Sequence, residues 1–144
     1  NSNGNTQYVG GAFAWPAPGY YTITSPYGMR THPILKSYRN HTGMDIGAPM
    51  GSYAIAANDG IVTKSTYSNS YGNMVMIDHG GGVVTLYAHG SELIAQVGDV
   101  VKRGDDIMKV GSTGWSTGPH LHFEIRINGK AIDPYPYLIS SVQR

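Results

Sequence analysis

"GPHLHFEIRI", residues 118–127, is the stretch on which the fold turns. Leu121, Phe123, Ile125 and Ile127 share one parity, and His120, His122, Glu124 and Arg126 share the other. Side chains alternate along a strand, so residues 120–127 read as a strand that sends both imidazoles out of one face. A half-exposed strand that merely happens to hold two histidines gives the same pattern. The rest of the chain has to choose.

Working outward, further short strands are expected at residues 54–57, 61–65, 74–78, 83–87 and 107–110. Turns at Asn58-Asp59-Gly60, Ser70-Tyr71-Gly72-Asn73 and His79-Gly80-Gly81-Gly82 separate them, the last resembling a hairpin connection. "VGDVV" (97–101) and "RGDDI" (103–107) repeat a Gly-Asp turn between apolar residues. Residues 91–96 read as a brief helical turn, and residues 29–53 as a long loop with short extended pieces, a length that usually serves function. In "VVTLYAH", the parity of Val84, Leu86 and Ala88 is expected to face the core, with Val83, Thr85, Tyr87 and His89 on the other side. The fold class is therefore mainly β, a strongly bent antiparallel sheet whose long Gly-rich loops form a groove.

A chain of 144 residues can bury its own core as one domain. Polar, Gly-rich residues 1–11 are expected to be a flexible tail or linker, and 12–144 a single domain; a start at Asn1 suits a processed product or an excised piece of a larger chain. The 20 glycines and 8 prolines fit a turn-rich β protein better than a helical bundle. Net charge is only +1 with no basic run, which argues against nucleic acid or an anionic membrane as partner. No apolar run is long enough to span a bilayer. Cysteine is absent, which excludes disulfides and thiolate zinc sites and permits export.

Chemistry then rests on the six histidines. His41 opens "HTGMD", with Asp45 four residues later in a segment whose glycines favour a loop over a helix. Together with His120 and His122 this gives four candidate ligands for the three protein positions of a catalytic zinc site. The surplus histidine would be a natural acid or base beside an activated water. His89 ends its strand and reads equally as a surface residue.

Four separated segments in one order carry a more specific signal: "HTGMDIGAPMG" (41–51), "VMIDHGGGVVTLYAHGSEL" (74–93), "VGDVVKRGDDI" (97–107) and "GSTGWSTGPHLHFEIRINGKAIDP" (111–134). Here the chain resembles the catalytic domain of the lysostaphin-type zinc endopeptidases, the M23 peptidases that cut peptides of bacterial cell walls, over nearly all of residues 14–138. The resemblance implies one zinc ion held by His41, Asp45 and His122, with His120 beside it as a catalytic group and His89 as its partner. It further implies a bacterial peptidoglycan peptide as substrate, a monomeric domain, and work outside the cytoplasm, wall-associated or secreted. There is no His-Glu-x-x-His motif, so the histidine pair takes the place of a Glu base.

The other motif residues receive simpler readings. His79 is expected to be a turn or supporting residue and His32 to be solvent-exposed. Glu124 is expected either to orient an imidazole, to pair with Arg126, or to lie on the strand surface. Tyr20, Tyr27, Tyr71 and Tyr87 are expected to be mainly fold aromatics. Two other classes compete. "VGDVVKRGDDIMKVGS" looks like the turn repeats of biotinyl or lipoyl carriers, which a lysine-linked cofactor in the intact mass would reveal. A wall-binding or regulatory domain of the same fold would bind peptidoglycan without releasing new amino termini.

Overall fold

The computed structural model describes residues 13–31 and 38–142; His32 and residues 1–11 lie outside them. Its elements are β1 (Ile23–Ser25), β2 (Gly28–Thr31), β3 (Tyr38–His41), β4 (Met44–Gly47), β5 (Tyr53–Ile55), β6 (Gly60–Ser68), β7 (Gly72–Asp78), β8 (Val83–Leu93), β9 (Val100–Val101), β10 (Asp106–Val110), β11 (His120–Ile127), β12 (Lys130–Ile132) and α1 (Tyr135–Val142). The main sheet runs β1-β4-β11-β8-β7-β6-β9, with β12 beside β11 and β10 joining β8 to β5; β2 and β3 form a separate ribbon. Every pairing is antiparallel. No helix among the described residues is long and apolar enough to cross a membrane.

The strand at 120–127 forms with the expected bounds and lies in the middle of the sheet. Leu121, Phe123 and Ile125 are fully buried in the main core with Ile46, Ile77, Tyr87, Ile107 and Met108. The glycine turn at 80–82 links β7 to β8 as a hairpin, all three glycines at positive φ. The two Gly-Asp turns repeat one device: Asp99 accepts from the Gln96 amide and Asp105 from the Lys102 amide.

Two expectations need correction. Tyr87 and Thr85, rather than Val84, Leu86 and Ala88, take the main-core side of β8; Leu86 and Ala88 form a second small cluster with Met74 on the opposite face. Alternation misled because both faces of this strand are buried. Residues 91–93 continue β8 instead of forming a helical turn, since Glu92 and Leu93 pair with Lys109 and Met108 of β10. Within 29–53 the described residues form short strands joined by loops, as expected, and β4 among them pairs with β11 along its whole length. In addition α1 was not foreseen, although Asp133 caps it by accepting from the Tyr135 amide across Pro134, a cap and first-turn proline in the expected places.

A bulge in β8 bends the sheet. Val75 pairs with Tyr87 and Asn73 with Gly90, so three steps along β8 answer two along β7. His89 lies in the extra step with φ 67°. Residues 83–88 pair with β11, while residues beyond the bulge pair with β10. Such a bulge re-aims one side chain. Without it, His89 would follow Tyr87 into the core.

Below the sheet a buried polar chain is fully satisfied. The Ala57 amide donates to Tyr87 Oη at 2.9 Å; Tyr87 and Thr85 hydroxyls meet at 2.8 Å; His79 bonds Thr85 Oγ1 and the Asp59 carbonyl, both at 2.7 Å. His79 thus belongs to the turn and not to the ligand cluster. Burial pushes its pKa down, so it is held neutral. Tyr87→Phe leaves the Ala57 amide without its acceptor and should cost about 1–3 kcal/mol in urea unfolding. An unchanged midpoint would show that this chain contributes nothing.

Candidate metal centre and histidine pair

Three strands deliver three ligating atoms to one point. His41 ends β3, Asp45 lies on β4, and His122 lies opposite Asp45 on β11. All three are buried. Asp45 Oδ1 is 2.8 Å from His122 Nδ1 and 3.2 Å from His41 Nε2, and the two nitrogens are 3.3 Å apart. Zinc ligands at about 2.0–2.1 Å in a tetrahedron lie ~3.3 Å from one another, so the donor set fits zinc in both chemistry and spacing.

The outer nitrogens decide which inner ones carry lone pairs. A carbonyl can only accept, so His41 Nδ1, 2.9 Å from the Pro26 carbonyl, is the protonated nitrogen, and Nε2 is the one left facing Asp45 and His122. His122 is reversed. Its Nε2 donates to Glu124 Oε2 at 2.8 Å, leaving Nδ1 to face Asp45. Glu124 is fully buried and also accepts from Thr42, Tyr71 and, on Oε1, Arg126. It therefore both orients an imidazole and pairs with Arg126, and it is not a surface residue. A Cβ on Gly43 would run into the Phe123 carbonyl and the Glu124 side chain, so the approach of the Thr42 segment requires glycine.

Field and burial act in opposite directions here. Burial opposes ionisation of Asp45, yet its bonds to His122 and His41 hold the carboxyl below the usual range. Burial likewise opposes charging His122, but Asp45 and Glu124 draw it up to about 9. Glu124, despite burial, is held down to about 2 by His122, Thr42 and Tyr71. Two ionised carboxylates thus favour positive charge where the inner nitrogens converge.

His120 and His89 stand beside this cluster. His120 Nε2 is 3.6 Å from Asp45 Oδ1, and the His89 and His120 rings are 4.8 Å apart. Each donates its Nδ1 proton to a carbonyl, His120 to Gly118 at 2.9 Å and His89 to Thr113 at 2.7 Å. In the neutral form of each ring, Nε2 is then the acceptor. Burial pushes His89 down to about 4 and keeps it neutral.

All five residues singled out in the sequence converge. Of the tyrosines, Tyr87 is core, Tyr27 bonds the Ala131 carbonyl, Tyr20 is exposed, and only Tyr71 reaches the centre, through Glu124. The carbonyls of Pro26, Thr113 and Gly118, which fix the tautomers, were missed, because backbone acceptors leave no mark in a sequence.

A buried two-histidine, one-carboxylate donor set, which leaves the fourth position of zinc open, suits a catalytic zinc site. Residues 39–134 match the model of peptidase family M23, and the chain belongs to that family of zinc metallopeptidases. The DD-carboxypeptidase/endopeptidase Mpg of Neisseria meningitidis is 51% identical over 115 residues, 80% of this chain and 26% of that protein. A zinc-containing peptidase from Vibrio cholerae shares 34% identity with a TM-score of 0.79, over 85% of this chain and 39% of the other. The catalytic domain of lysostaphin from Staphylococcus simulans also shares 34% identity, with a TM-score of 0.76, over 83% of this chain and 92% of the other. The chain spans about a quarter of the length of the curated relatives it matches.

Glu124→Gln keeps the shape and removes the charge behind His122. Its zinc Kd, from competition with a chelating indicator, should rise about 10–100-fold. An unchanged Kd would deny Glu124 that role.

Proposed function

We propose that this domain is a zinc-dependent endopeptidase that hydrolyses peptide bonds of bacterial peptidoglycan, with His41, Asp45 and His122 as zinc ligands and His89 and His120 as the catalytic pair. The observation that carries the reading is the tautomer pattern: with each Nδ1 bound to a carbonyl, the neutral form of each ring offers an acceptor Nε2 beside a three-ligand zinc set. Zinc bound there lowers the pKa of a coordinated water toward neutrality and polarises a peptide carbonyl. Either Nε2 can then take the proton of the attacking water. The imidazolium so formed becomes a donor, first to the developing oxyanion and then to the leaving amine. Burial disfavours charge on His89, so a proton placed there is readily passed on.

Identity of 51% to a relative named a DD-carboxypeptidase/endopeptidase, against 34% to lysostaphin, supports D,D cross-links of directly bridged walls as the scissile bonds. That substrate supports work outside the cytoplasm, at the wall, by a secreted or wall-associated bacterial protein. One chain supplies every site residue, which supports action as a monomeric domain. The complete set also favours an enzyme over a purely binding or regulatory domain.

Digestion of a glycine-bridged and a directly cross-linked wall, read by mass spectrometry, tests this. New ends are expected from the directly cross-linked wall, lost with chelator and restored by zinc. No new ends from either wall with a folded, zinc-loaded protein would contradict the enzymatic reading; ends only from the glycine-bridged wall would overturn the choice of bond. His120→Ala should lose most turnover while binding zinc, and Asp45→Ala should lose both. Unchanged zinc content in the Asp45 variant would overturn the ligand assignment.

A further inference from the structure

The loop of residues 111–119 carries "GSTG", a motif for which the zinc centre itself gives no reason. This loop packs on the β6–β7 turn at backbone range. A Cβ on Gly72 would run into Thr113, and one on Gly114 into the backbone of residues 70–72. Thr113 stands at the centre of the contact. Its carbonyl accepts from His89 Nδ1 at 2.7 Å. Its hydroxyl donates to the Gly90 carbonyl at 2.6 Å and accepts from the Asn73 amide at 3.1 Å. Asn73 Nδ2 donates to the same Gly90 carbonyl at 3.0 Å, and the His89 amide donates to the Tyr71 carbonyl at 2.7 Å.

These bonds enclose the bulge on both sides of His89. Among the described residues only His89 and Asn128 have positive φ without being glycine. A histidine in that backbone region persists only where its surroundings over-determine it. The bulge is also what turns the His89 ring toward His120 instead of the core.

We infer that Thr113 is the positioning residue of the histidine pair: its carbonyl selects the His89 tautomer, and its hydroxyl holds the bulge that aims the ring. This rests on the proposed catalytic role of His89. A ring displaced by about 1 Å can cost 10²-fold in rate, without any change in the zinc ligands.

The test compares Thr113→Val, Thr113→Ser and Asn73→Ala with wild type and His89→Ala on a purified D,D-cross-linked muropeptide dimer. In Thr113→Val, kcat should fall about 10–100-fold while KM and zinc Kd stay within about twofold. Thr113→Ser, which keeps the hydroxyl, should recover most of the loss. Asn73→Ala removes the other bond to the Gly90 carbonyl and should lower kcat in the same sense; it carries the test alone if Thr113→Val does not fold. Nitrogen NMR of the His89 ring supplies a readout independent of turnover. Wild type and Thr113→Ser should show one tautomer, protonated on Nδ1, and Thr113→Val a mixture. Wild-type kcat and an unchanged tautomer in the folded variants would overturn the inference, as would a matching loss of zinc affinity. If wild type is inactive, or His89→Ala is fully active, the proposed function fails, while the NMR signals still decide whether Thr113 fixes the ring.

Discussion

Glu124 holds a negative charge on a face of β11 where no solvent reaches it. An isolated carboxylate in such a place would be far too costly, and each of its oxygens is accordingly filled. Oε2 accepts from Thr42, Tyr71 and His122, and Oε1 from Arg126, whose other arm reaches the Tyr71 hydroxyl at 3.1 Å. The donors come from the β3–β4 link, the β6–β7 turn and β11 itself. One buried anion therefore orients the His122 imidazole of the proposed zinc site and ties together the segments around it.

Strand alternation on β11 makes this arrangement possible. Leu121, Phe123 and Ile125 anchor the strand in the core, and the intervening positions are thereby fixed on the opposite face. Pairing of His122 with Asp45 then sets the ligands across two adjacent strands. A slip of one residue would send the imidazoles into the core and the apolar residues into the site, so the core packing also specifies the chemistry. His89 is the exception, reaching the same face only through the bulge.

How much of this was legible follows from what each feature depends on. The bounds of β11, the glycine hairpin and the Gly-Asp turns depend on local pattern, and the sequence displays them. The convergence of His41, Asp45, His120 and His122 became readable only from several separated motifs together, because loop and strand spacing alone left four ligands for three places. The facing of Leu86 and Tyr87 could not be read, since both faces of β8 are apolar or buried. The αL turn at His89, the extension of β8 to Leu93 and the carbonyls that fix each tautomer arise from tertiary pairing. Nothing in the residue types near them announces it. The cap of α1 by Asp133 has a local signal, the Asp-Pro of "IDPYPYL".

On the proposed assignment, outer hydrogen bonds choose the inner atoms: His41 binds zinc through Nε2, His122 through Nδ1, and Asp45 through Oδ1, while His89 and His120 do not bind it. Crystallography of the zinc-loaded protein with anomalous data at the zinc edge tests this directly. One peak is expected about 2.0–2.2 Å from those three atoms. Coordination by His89 or His120, or by His122 through Nε2 away from Asp45, would contradict it.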